Sequence, residues 1–143
     1  MRTIVAKIIV IAFLFSELSC GENITDCPTK MCVLANGWKL VAVYMDGQLD
    51  TQVDLSQYKL TLYMPAPVDA TTSSFDRISP GGNDDRGTWE LRNNEQILAL
   101  IPESSPEEPY IISYFSPREL RLVIERDINK TGPDQYEYVL EPF

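Results

Sequence analysis

From residue 34 onward the chain reads as short runs of alternating apolar and polar side chains, separated by turn-forming residues. Trp38, Leu40, Ala42 and Tyr44 alternate with Lys39, Val41, Val43 and Met45. That is the period-two pattern of a strand, whose successive side chains leave opposite faces. Tyr58, Leu60, Leu62 and Met64 repeat it, as do Gly87, Trp89 and Leu91, then Leu120, Leu122 and Ile124, and finally Tyr136, Tyr138 and Leu140. A weaker run at 73–78 is marked by Phe75 and Ile78. Residues 97–101 are continuously apolar, and 110–114 follow them. Counted from Trp38, the pattern predicts eight strands and no long helix. Residues 31–36 are expected to form a helical turn covering one end of the fold.

Ten prolines and seven glycines fall mostly between these runs, so the links are legible too. The first, third, fifth and seventh links (46–54, 79–85, 102–109 and 127–134) are expected to be long. The fourth and sixth (93–95 and 115–118) are expected to be tight. In an up-and-down meander odd and even links lie at opposite ends, so one end should be closed and the other framed by loops. The second link, 65–72, is long and breaks that rule. The acids of the odd links, among them Asp84, Asp85, Glu107 and Glu108, should gather as a solvated rim at the open end. Their field would favour cationic or neutral ligands, or a basic protein partner.

The first residues are not part of this pattern. Arg2 and Lys7 flank the apolar run of residues 8–15, which is too short for a transmembrane helix and has the form of a secretion signal. The expected organisation is a signal over 1–19, a tether with a small disulfide loop over 20–32, and the barrel domain over 33–143. Three cysteines leave one odd. If Cys20 is acylated, Cys27 and Cys32 remain as a disulfide pair.

Composition narrows the chemistry. A chain of 143 residues, 44% hydrophobic and 23% charged, is that of one ordinary globular domain. A net charge of −9 argues against nucleic acid, which requires a basic patch. With no histidine the commonest general base is missing, and no serine or cysteine has an identifiable partner for nucleophilic catalysis. No enzyme is expected, no cofactor and no metal site. The glycine-rich segment 81–85 lacks EF-hand spacing and reads as a turn.

Leu18-Ser19-Cys20-Gly21 resembles the lipobox of bacterial lipoproteins, in which the signal is cut before a lipid-bearing Cys. The meander, opened by Leu34-Ala35-Asn36-Gly37-Trp38, resembles a lipocalin-like domain of bacterial envelope lipoproteins. The segment from Gly87-Thr88-Trp89 to Leu100 resembles the middle hairpin of these domains, and the segment from Tyr110 to Leu120 their next pair of strands. The resemblance implies an all-β, eight-stranded antiparallel up-and-down barrel behind a signal peptide, held on a bilayer through Cys20. Lipocalins also place an arginine near the chain end against the opening Trp; the last strand here has none, and Arg126 is only the nearest candidate. The expected location is the bacterial envelope, or alternatively secretion.

Two functions of different class follow. One is a module that binds a small hydrophobic molecule between Trp38, Leu40, Tyr44, Tyr58, Leu60, Trp89, Leu98, Tyr136 and Tyr138, with tyrosine hydroxyls orienting it. The other is an anchored interaction, scaffold or inhibitor protein whose barrel is filled by those same side chains, since eight strands enclose little more than side chains or one small ligand.

Overall fold

The computed structural model describes residues 29–67, 69–129 and 132–143. Cys20 and Cys27 therefore lie outside the described residues, as do the signal and most of the tether. A short helix, α1 (Lys30–Leu34), leads into β1 (Gly37–Met45), β2 (Gln48–Leu49), β3 (Lys59–Leu62), β4 (Thr72–Ile78) and β5 (Asp84–Arg92). Then come β6 (Ile97–Pro102), β7 (Glu108–Ser116), β8 (Glu119–Asn129) and β9 (Gly132–Pro142). All pairings are antiparallel, and β9 returns to pair with β1, so β1 and β3–β9 form the expected eight-stranded closed barrel. Closure removes the free edges that an open sheet would present.

The additional strand β2 is the arm of a tight hairpin. Asp46 and Gly47 both take positive φ, +50° and +79°, between Tyr44↔Leu49 and Met45↔Gln48. This is the Asp-Gly chemistry of a two-residue hairpin turn.

The barrel has one closed end. There α1 buries Met31 and Leu34, and the Trp38 Nε1 donates to the Leu34 carbonyl at 2.9 Å. Lys30 reaches across to the Glu95 carbonyl and lies over the Phe115 ring. Arg126 takes no part. It pairs across the sheet with Asp134, whereas Trp38 pairs with Pro142 eight residues along the same strand, ~26 Å away at 3.3 Å per residue. Arg126, the nearest candidate for an arginine against Trp38, does not fill that place, and the Leu34 carbonyl is the indole's polar partner.

Four connections meet at the other end. Residues 79–83 and 103–107 bridge β4–β5 and β6–β7, and residues 46–58, containing β2, bridge β1–β3. The seventh link departs from expectation, because β8 and β9 continue as a hairpin and leave only residues 130–131 between them.

Inside, the core runs through Trp38, Leu40, Val43, Leu60, Leu62, Phe75, Trp89, Leu98, Leu100, Leu120, Leu122 and Leu140 as one cluster. Gly87 makes room within it, since a Cβ there would lie 2.1 Å from the Ile101 carbonyl oxygen. Gly87→Ala must push β5 from β6 and is expected to cost about 1–3 kcal/mol, as overpacking does. Urea unfolding reads this directly, and an unchanged midpoint would contradict the close approach.

Candidate functional site

The open end is plugged by a polar cluster that alternation places there strand by strand. On β4, Phe75 points inward, so Arg77 two residues later does too, and its side chain is only 7% exposed. Asp76 between them faces outward and accepts the Tyr63 hydroxyl at 2.6 Å. Asp85 arrives on β5 directly across from Arg77, and Glu108 and Tyr110 arrive on β7.

Arg77 holds Glu108 with both ends of its guanidinium, Nη1 to Oε2 at 2.7 Å and Nη2 to Oε1 at 3.0 Å. Its Nη2 also donates to Asp85 Oδ2 at 2.8 Å. The Tyr110 hydroxyl donates to Glu108, and Arg126 Nη2 stands 3.7 Å from the same carboxylate. Arg77 Nε is buried without a partner. Beneath and beside this group, Tyr58 stacks on Tyr138 with ring centroids 6.5 Å apart, and Tyr110 meets Tyr138 edge-on at 6.0 Å.

The electrostatics leave no proton to exchange near neutrality. Burial alone would raise the Glu108 pKa, but the hydrogen bonds from Arg77 and Tyr110 and the charges of Arg77 and Arg126 outweigh it and hold the carboxyl low. Burial dominates at Tyr58, Tyr110 and Tyr138, and raises all three phenols. Glu108 is thus ionised and the phenols protonated throughout the physiological range. The cluster can brace, seal and orient, but it has no acid–base pair poised for catalysis.

The raised phenols set an alkaline limit. A group with a raised folded-state pKa contributes stability that is complete below its unfolded value, ~10 for tyrosine. That contribution is lost as pH rises through the folded-state value. In an alkaline titration followed by ultraviolet absorbance and circular dichroism, Tyr58, Tyr110 and Tyr138 are expected to ionise only as the barrel unfolds. Reversible ionisation of all seven tyrosines with the fold intact would contradict their burial.

Of the residues that the sequence suggested for a ligand, Trp38, Leu40, Leu60, Trp89 and Leu98 stand together in the core cluster, with Tyr58 at its mouth end. Tyr136 and Tyr138 are half-buried and pack against it. Tyr44 does not join them. β1 pairs Leu40 with Leu140 and then Ala42 with Val139, so one extra residue forms a bulge. Beyond it the alternation is inverted: Val43, 1% exposed, faces the core, and Tyr44 turns outward between Leu49 and Glu137. The rim of acids also needs correction. Asp84 and Glu103 are exposed, but Asp85 and Glu108 turn inward onto Arg77, and Glu107 pairs with Arg92.

Comparison with known proteins bears on the fold. No protein-family model and no curated protein matches the sequence. Solved structures do: apocrustacyanin C2 at 15% identity and TM-score 0.55, over 78% of this chain and 62% of that one. Lobster apocrustacyanin A1 matches at 14% and 0.54, over 82% and 64%, and apocrustacyanin C1 at 16% and 0.54, over 78% and 62%. The fold is a lipocalin-like barrel. The chain spans less than two thirds of the length of these neighbours. In this lipocalin-like barrel the sequence-suggested lining residues, Tyr44 excepted, belong to one packed cluster. Trp38, Leu60, Trp89, Leu98, Leu100, Leu120 and Leu140 at its centre have no exposed surface.

Proposed function

We propose that this chain is an exported, envelope-anchored, non-catalytic protein that acts through the outside of a filled lipocalin-like barrel. The observation that carries this reading is the interior. Trp38, Trp89, Leu60, Leu98, Leu100, Leu120 and Leu140 have no exposed surface, and the Arg77 cluster closes the mouth above them. Anchoring rests on the lipobox-like Leu18-Ser19-Cys20, with Cys20 acylated and Cys27 left to pair with Cys32. In support of the pairing, Cys32 is disulfide-bonded. Two or more acyl chains, at ~0.8 kcal/mol per buried CH₂, suffice for stable attachment to a bilayer.

The fold itself favours a second reading, a small hydrophobic molecule held within the barrel, since eight strands can enclose one small ligand. It requires Arg77, Glu108 and Tyr110 to part and core side chains to move aside.

Titrating the mature protein with an apolar fluorophore, alongside native mass spectrometry of protein from its own host, separates the two readings. The filled barrel gives no stoichiometric quenching of Trp38 and Trp89 and no added ligand mass. One-to-one quenching with a matching mass would establish the carrier instead. In the same preparation, mass spectrometry is expected to find an acylated Cys20 at the N-terminus, and Cys20→Ser to leave the membrane fraction. A soluble wild-type protein with unmodified Cys20 would refute the anchor.

A further inference from the structure

β7 begins at Glu108 and β8 continues to Asn129, yet the ladder between them starts only at Ile111↔Val123. Continued in register, Tyr110 would face Ile124, Pro109 would face Glu125 and Glu108 would face Arg126, but none of these pairs forms. Pro109 supplies the physical reason, because it has no N–H to give to a neighbouring strand. A groove of about 580 Å³ occupies the parting. Successive residues of an antiparallel strand direct their N–H and C=O to opposite edges. At least one residue of Ile124–Arg126 therefore offers both groups to the groove.

The groove has a chemical character. Its apolar wall includes Ile111, 53% exposed, with Val123 and Pro106. Of its acids, Glu108 is held by Arg77 and Arg126 and Glu107 by Arg92, which leaves Glu125 exposed on the outer face without an ion pair among the described residues, in a chain of net charge −9. From these features we propose that the parting between β7 and β8 receives an extended peptide in which basic and apolar residues alternate. The peptide adds as a strand along Ile124–Arg126, sets its apolar side chains on Ile111 and Val123, and meets Glu125 with its cations. Strand addition to an open edge gives affinity through the main chain and specificity through alternate side chains. A second copy of this chain is disfavoured as the occupant. A twofold pairing of β8 with itself about this point sets Glu125 against Glu125 or Arg126 against Arg126.

The inference rests on the reading that the outer surface, and not a cavity, does the binding. The test uses the mature protein carrying Cys20→Ser, isotopically labelled, with an acetylated and amidated octapeptide of alternating valine and lysine as the probe. Binding is expected to slow hydrogen exchange at the Ile124–Arg126 amides. Methylating every backbone nitrogen of the peptide should weaken it at least tenfold, and a valine–glutamate peptide should not bind. Pro109→Val, which lets β7 and β8 zip together, and Glu125→Lys, which reverses an exposed charge, should each weaken binding at least tenfold in a protein whose spectrum is otherwise unchanged. Absence of binding, equal affinity for the methylated peptide, protection at another strand, or unchanged affinity in both variants would overturn the proposal. The fluorophore titration reports on the filled barrel in the same sample, so failure of one idea is distinguishable from failure of the other.

Discussion

Arg77→Ala is expected to destabilise the barrel by about 3–5 kcal/mol, the cost of removing one partner from a buried ion pair. The guanidinium supplies the hydrogen bonds that neutralise Glu108 and Asp85, at 2.7–3.0 Å, in the mouth of a closed sheet. Without it two carboxylates remain largely out of water with only Tyr110 and the more distant Arg126 for company. A domain with a total stability of about 5–15 kcal/mol has little margin for that. Replacing all three together, Arg77→Met with Asp85→Leu and Glu108→Leu, should cost much less than the single change, because buried charges and their attraction are removed at once.

The acid side carries a second signature. The folded-state pKa of Glu108 is lowered, so its contribution is present above the ordinary carboxylate range and is lost as pH falls through the folded value. In the Arg77→Ala protein the carboxyl has lost that support, and acid relieves it by protonation. The gap in stability between wild type and variant, measured by urea unfolding, should therefore narrow toward pH 3. A variant within about 1 kcal/mol of wild type at pH 7, the range of surface changes, would mean that the cluster is hydrated and not a plug.

Trp38→Ala is the other large effect, again about 3–5 kcal/mol, the range for a large buried aromatic. Trp38 is wholly buried where β1 meets β3 and β9, opposite Leu60 and Pro142. Its loss leaves a cavity at the closed end and also frees the Leu34 carbonyl, which loosens α1 from the barrel. Trp38→Phe, which keeps most of the ring volume but not the N–H, should cost noticeably less. Urea unfolding of the two variants tests the ordering, and equal costs would show that the packing contribution has been misjudged.

The eight barrel strands were legible because each buries one face, and burying one face forces a period of two. Tyr44 was misjudged because a bulge after Leu40 is invisible to a strict alternation, and parity beyond a bulge is inverted. β2 is signalled in the sequence, since Asp46-Gly47 between Tyr44-Met45 and Gln48-Leu49 is a hairpin dipeptide. Arg77 was half legible, standing two residues after inward Phe75. Its partners were not, because Asp85 and Glu108 look like loop acids until the strand register sets one across from it and the other within reach. The parting of β7 from β8 is written only as Pro109, and a proline at a strand edge does not say which neighbour it refuses. Whether the barrel is filled or holds a ligand stays open in the sequence, because side-chain identities give volume but not the space around them.

The seam between β1 and β9 has a consequence for how the protein comes into being. Trp38 pairs with Pro142 and Met45 with Tyr136, partners about a hundred residues apart in sequence. No local segment can close the cylinder, and closure waits until its most distant strands meet. Contacts this distant make folding slow, of order milliseconds to seconds. Until that last seam forms, the polypeptide remains an open ribbon whose outermost strands, β1 and β9, can pair with a neighbouring chain as readily as with each other.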